Sequence, residues 1–172
     1  LLADAGYADG FDLQLNTFDF SPWSNVAMKI AQDLQAVGIR VTINPQPPTQ
    51  TIQSLKERTH QATIIQWLLD YADPDANAKG FAYCDNLGAD AQPKNRAWQS
   101  NYLTPGTTKL TEQAMRELDA EKRNALYEQI TNQILDDGPF AFLYSPTNQF
   151  GVRSEVIDRV GPPADIWSVF PS

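Results

Sequence analysis

Apolar and polar residues alternate from Phe11 through Asp12, Leu13, Gln14 and Leu15 to Asn16, the period-two pattern of a half-buried strand. The period then changes. Trp23, Val26, Ala27, Ile30, Ala31 and Leu34 recur at spacings of three and four, which predicts an amphipathic helix with Ser21 as N-cap, Pro22 at its first position and Gly38 at its end. Alternation returns over residues 39–43, Ile-Arg-Val-Thr-Ile. A strand, a helix and a strand in this order form a crossover unit whose strands lie parallel.

Pro45, Pro47 and Pro48 predict the end of that second strand, followed by a short helix over residues 49–58 that buries Ile52 and Leu55. A third strand is expected over residues 62–67, where Thr63, Ile64 and Ile65 are β-branched. Asp73 and Pro74 read as the N-cap and first turn of a helix running to about residue 81. Residues 84–102 show no period. Thr104-Pro105 starts a helix expected to bury Leu110, Ala114 and Leu118, and Asp119 caps the next one. That helix places Leu126, Tyr127, Ile130, Ile134 and Leu135 on one face and stops at Gly138-Pro139. Residues 140–144 read as a short buried strand. The predicted class is α/β, a mixed sheet flanked by helices.

With 172 residues, 42% of them apolar, the chain can build one compact core. Its net charge of −8 repels a phosphate backbone, so no nucleic-acid partner is expected. No apolar run approaches the roughly 20 residues of a membrane-spanning helix. Cys84 is the sole cysteine, which excludes an internal disulfide and a multi-cysteine zinc site. His60 has no metal-ligand spacing around it, and Ser145 lies outside any nucleophile elbow, so neither a metal nor a cofactor is expected. The acidic group Asp70, Asp73 and Asp75 lacks the alternating ligands and glycine of a calcium loop. Residues 1–6 read as the last turn of a helix whose beginning is missing, so the chain is expected to be a piece of a longer protein.

Three stretches together resemble the oligopeptide, dipeptide and nickel-binding class of ABC-transporter solute-binding proteins. They are the opening Leu1-Leu2-Ala3-Asp4-Ala5-Gly6-Tyr7 with Gly10-Phe11 and the later Val37-Gly38-Ile39; Trp67-Leu68-Leu69-Asp70-Tyr71-Ala72-Asp73-Pro74; and Glu117-Leu118-Asp119 with Leu126-Tyr127 and Gly138-Pro139-Phe140. The resemblance implies an extracytoplasmic protein, monomeric, periplasmic or extracellular, that closes two lobes on a small peptide-like solute and passes it to a membrane permease. Residues 1–150 would form most of the second lobe, incomplete on its N-terminal side, and residues 151–172 a tail returning toward the other lobe. It implies that Asp70 holds the α-ammonium of the ligand, with Trp67 and Tyr71 beside it. A carboxylate desolvated at a strand end makes a strong charge-assisted bond to an amine.

Trp98 lies in the stretch without a period, where no regular face explains it, and is a further candidate for ligand contact. The chain departs from some dipeptide-binding relatives in that Cys84 has no partner cysteine. The competing functions are a hydrolase using paired carboxylates such as Asp70 and Asp73, and a lobe retained as a signalling or scaffold module. Carboxylates three residues apart on one short loop match poorly the two groups that flank a scissile bond, so no enzymatic activity is expected.

Overall fold

A computed structural model describes residues 1–69, 71, 73–145 and 153 of the chain. The chain divides into two compact units, Leu1–Phe140 and Ala141–Ser172. The first contains all the regular elements among the described residues, beginning with β1 (Phe11–Phe18), α1 (Trp23–Gln35), β2 (Ile39–Gln46), α2 (Pro48–Glu57) and β3 (Ala62–Thr63). Four helices follow: α3 (Pro74–Phe81), α4 (Arg96–Gln99), α5 (Pro105–Arg116) and α6 (Ala120–Asp137).

β1 lies at the centre of a three-stranded sheet ordered β2-β1-β3. It pairs in parallel with β2 from Phe11 opposite Ile39 to Phe18 opposite Gln46, and with β3 through Leu15–Ala62 and Asn16–Thr63. A mixed sheet was expected; both described ladders are parallel, because each return passes through a helix and brings the chain back in the same direction. The register follows from side-chain alternation. Leu15, Val41 and Ile43 meet Val26, Ala27 and Ile30 of α1 and bury the first core cluster, with Ile64 completing it. On the opposite face Asn44 donates to Asn16 at 2.9 Å, and Asn16 reaches Ser54 of α2.

The turn into β1 is closed by two glycines. Gly10 has φ +72°, and a Cβ there would lie 1.7 Å from the carbonyl oxygen of Gly38, itself at φ +91°. No other residue fits this crossing of the two strand starts.

Several expectations need correction. β2 runs through Pro45 to Gln46 instead of stopping at residue 43. Gln46 directs its carbonyl to Asp19, on the β1 side, so the imide nitrogen of Pro45 points to the opposite edge and removes no ladder bond. β3 is two residues long, not six; Ile64 adds one bond to the Asn16 carbonyl, and residues 65–69 run on without a ladder. The hydroxyl of Ser21 does not cap α1, whose cap position is Pro22 and whose first amides turn onto the Phe20 carbonyl.

The second core cluster is helical and gathers α3, α4, α5 and α6 around Phe81, Ala97, Trp98, Tyr102, Tyr127 and Ile130. Asp119 caps α6 as predicted, accepting from the Lys122 amide at 3.0 Å. α5 buries Thr107 and Thr111 with Ala114, while Leu118 lies past its end and is 95% exposed. Leu135 is also exposed, which narrows the buried stripe of α6 to Tyr127, Ile130 and Ile134. Phe140 packs on the helical cluster. The predicted strand over residues 140–144 is not formed, and 141–144 are exposed. Residues 151–152 and 154–172 of the predicted tail lie outside the described residues.

Candidate functional site

Beyond β3 residues 64–69 carry no regular element, with Trp67 among them, and Tyr71 stands shortly before the start of α3. Asp70 itself lies outside the described residues. α3 starts where the sequence predicts. The Asp73 carboxylate accepts from the Asp75 amide at 2.9 Å, and Pro74 occupies the first turn, where a missing N–H costs nothing. The cap thus commits Asp73 to structure, which leaves it poorly suited to act as half of a catalytic pair.

Trp67 is fixed from three sides. Its indole N–H donates to Asn77 at 2.9 Å, and its ring meets Phe81 edge to face with centroids 5.0 Å apart. The ring also lies against Gly80, where an added Cβ would come within 2.9 Å of Cζ2. The guanidinium of Arg96 stands 5.6 Å from the ring centroid. Tyr71 is exposed and donates its hydroxyl to Asp75 at 2.7 Å, while Lys79 pairs with the same carboxylate oxygen at 2.6 Å. The bond to Asp75 raises both the Tyr71 phenol and the Lys79 ammonium above their ordinary values. Tyr71, Asp75 and Lys79 therefore form a chain of hydrogen bonds that pins the segment next to Asp70 to the first two turns of α3.

Trp98 is placed differently. It is 6% exposed, a member of the helical core, with its indole N–H on the Gly88 carbonyl at 3.1 Å. Arg58 and Lys94 lie over its ring at 4.7 and 5.3 Å. Trp67 packs against the same cluster from its edge, so both tryptophans share one core, Trp67 at its margin and Trp98 inside it.

The stretch without a period is ordered by side chains bonding to backbone. Asn95 caps α4 through the Trp98 amide at 3.0 Å and donates to the carbonyls of Lys79 and Tyr83 at 2.5 and 2.7 Å. Asn86 accepts from Gly88 at 2.8 Å, and Thr108 exchanges bonds with both backbone groups of Cys84. Burial raises the pKa of the Cys84 thiol, as expected for an inert sulfur.

The described part of the arrangement sets the Trp67 ring against the Arg96 guanidinium and ties Tyr71 through Asp75 to Lys79. The family model that describes bacterial extracellular solute-binding proteins, family 5 (middle segment), matches residues 1–89, more than half of the chain and the part that contains Trp67, Asp70 and Tyr71. The chain belongs to this family. Among family 5 relatives, the Di/tripeptide-binding protein 1 of Pseudomonas aeruginosa (strain UCBPP-PA14) is 30% identical over 168 residues, which cover 94% of this chain and 30% of that protein. The periplasmic binding protein DppA of Helicobacter pylori, solved with the peptide STSA, superposes with a TM-score of 0.70 at 26% identity, over 80% of this chain and 26% of that one. A dipeptide binding protein from Pseudoalteromonas sp. SM9913, solved with Met-Leu, has the same fold with a TM-score of 0.65 at 22% identity, over 78% and 26%. The chain therefore spans about 30% of the length of the curated relative it matches. The α/β layers belong to a two-lobed binding-protein architecture, of which this chain is a part.

No helix among the described residues is long and apolar enough to cross a membrane. Two hollows lie away from Trp67. One of about 280 Å³ is lined by Asn16, Asn44 and Gln46, and another of about 770 Å³ lies between α5 and α6. The residue beside Trp67 that sequence reasoning did not single out is Arg96. Its signal was visible as a basic residue beside Trp98 in a stretch where no period assigns it to a solvated face.

Proposed function

We propose that this chain is part of the substrate-binding component of an ABC importer, which holds a peptide-like solute between two lobes and presents it to a membrane permease outside the cytoplasm. The observation that carries this reading is the Trp67-x-x-Asp70-Tyr71 segment within the family 5 match. Asp70 is the acceptor for the solute's α-ammonium, Trp67 and Tyr71 flank it, and Trp98 supports the wall from within. The mechanism is hinge closure with no bond chemistry. Residues 1–150 are assigned to one lobe, and the closed protein works as a monomer.

Pinning the neighbouring Tyr71 to Asp75 matters energetically. A ligand that meets an ordered loop does not pay again for fixing it. In the full-length protein, Asp70→Asn keeps the side chain's shape and removes its charge, so peptide affinity should fall by about 2–5 kcal/mol. N-acetylation of the peptide should weaken binding to the unsubstituted protein by a similar amount and to the variant far less. Titration calorimetry at one pH measures all four values. Equal affinity for free and acetylated peptide in the unsubstituted protein would assign Asp70 another role.

A further inference from the structure

The sheet has two unlike faces. The one that meets α1 is apolar, as its core cluster shows. On the other, the ladder sets Asn16 opposite Asn44, with Gln14 and Gln46 two residues away along the same face of their strands. Strands of a parallel sheet ordinarily bury apolar side chains on both faces, so four carboxamides in this position are not explained by folding alone. Between them and α2 lies the hollow of about 280 Å³, whose other wall is Gln50, Gln53 and Ser54. Part of the lining is braced: Asn44 donates to Asn16 at 2.9 Å, and Asn16 reaches Ser54 at 3.4 Å. Gln46 is not. Its backbone carbonyl accepts from the Asp19 amide at 3.1 Å, which fixes the residue at the strand end. Its side chain lines the hollow, is 8% exposed, and keeps a buried Oε1 with no partner among the described residues.

A buried amide oxygen without a donor is destabilising until a donor meets it. The lining decides what kind of molecule can bring one. No Lys, Arg or His borders the hollow, so an anion gains no counter-charge there. Its one carboxylate, Glu57, is exposed and already accepts from Gln53 at 2.5 Å, which makes it a poor anchor for a cation. No aromatic or aliphatic side chain borders it either, so an apolar ligand has nothing to pack on. What is left is a lining of carboxamides and hydroxyls, neutral groups that both donate and accept. A solute hydroxyl does the same and can change role from one neighbour to the next, which a wall of mixed polarity requires. The volume stands at the small end of ligand pockets, which begin near about 300 Å³, and so suits a molecule of monosaccharide size.

We propose that the hollow between α2 and the polar face of β1 and β2 is a separate binding site for a small neutral polyhydroxylated molecule, a sugar or sugar alcohol, with a solute hydroxyl donating to Gln46 Oε1. It shares no residue with the segment that carries Trp67 and Tyr71 and does not depend on the peptide reading of that segment. Ring and open-chain molecules offer the same hydroxyl chemistry, and the test separates them.

The experiment titrates the full-length protein with glucose, myo-inositol and mannitol, and in parallel with urea and inorganic phosphate, following each by saturation-transfer NMR of the probe. The expected result is saturable binding of at least one of the first three with a Kd of about 1 mM or below, and none of urea or phosphate. Preference for mannitol over the two rings, or the reverse, identifies the form. Gln46→Leu keeps the length of the side chain and removes its carboxamide, so binding should weaken by about tenfold or more. Gln50→Ala, on the exposed wall of α2, should weaken it by about threefold and serves if Gln46→Leu does not fold. Asp70→Asn should leave it unchanged. Binding that survives both glutamine substitutions lies elsewhere and overturns the proposal, as does binding that is lost with Asp70→Asn, which would put the molecule in the peptide site. Urea or phosphate binding as tightly as the best polyhydroxylated probe overturns the assigned chemistry. Absence of saturable binding for glucose, inositol and mannitol alike overturns the site.

Discussion

Asn95 shows how much one side chain can organise. It satisfies one amide and two carbonyls that regular structure leaves unpaired, tying the end of α3 to the start of α4. Asn95→Ala orphans all three, at about 1–3 kcal/mol for each group left without water, moderated by the partial exposure of the site. A loss of about 2–4 kcal/mol in denaturant unfolding is the expected outcome. Cys84 makes a pH-dependent contribution of a definite sign. Its folded pKa is raised by burial, so the thiol form favours the native state. That stability is complete below the unfolded thiol value of about 8.5 and is lost as pH rises through the folded value. Thermal unfolding of the chain should therefore weaken above roughly pH 8.5, and Cys84→Ala should flatten this part of the profile relative to the tyrosine titrations that follow. A cysteine-free variant with an unchanged slope between these regions would refute the assignment.

Among the elements, legibility followed the source of order. β1, α1 and β2 were readable because apolar side chains at period two and period 3.6 create their faces, and the same residues, Leu15, Val41, Ile43, Val26 and Ile30, are the ones that pack. α5 was misread because its inner face is built from Thr107 and Thr111, whose hydroxyls are satisfied by the carbonyls of Ala82, Thr104 and Thr107, so a polar pair stands where Leu118 was expected. Residues 84–102 carry no period at all, since side-chain bonds from Asn86 and Asn95 supply their order. Of the candidate site, Trp67 and Tyr71 precede α3 in the order their motif gives, whereas the stacking of Arg96 on Trp67 follows from no pattern in the sequence. Two measurements separate these cases. Ile130→Ala empties a fully buried position of α6 and should cost about 2–5 kcal/mol, while Leu118→Ser should stay within about 0.5 kcal/mol. Gly80→Ala opposes two effects. Helix propensity favours alanine by up to about 1 kcal/mol, but the new Cβ meets a Trp67 ring held by Phe81 and Asn77 and forces it outward, at about 1–3 kcal/mol. Net destabilisation with a shifted tryptophan emission is the expected result.

For the whole molecule, the proposed mechanism makes this chain one wall of a site closed from both sides. The 172-residue chain should then bind peptides at least about 100-fold more weakly than the full-length protein, since a ligand touching one wall forfeits the contacts of the other. Calorimetry on the two side by side tests this, and submicromolar binding by the chain alone would place the complete site within it.

Pro45 carries a consequence of another kind. Among the described residues β2 is one margin of the sheet, and the proline nitrogen faces outward from it. A second copy of the chain that sought to anneal along this margin would find one amide hydrogen missing near the C-terminal end of its docking line, with the charge of Arg40 near the other end. The residue expected to stop the strand thus serves as a guard against fibrous self-association. Replacing Pro45 with valine would leave the β1 ladder intact and restore the missing donor. Light scattering of the concentrated variant, held just below its melting temperature, should rise sooner than that of the parent.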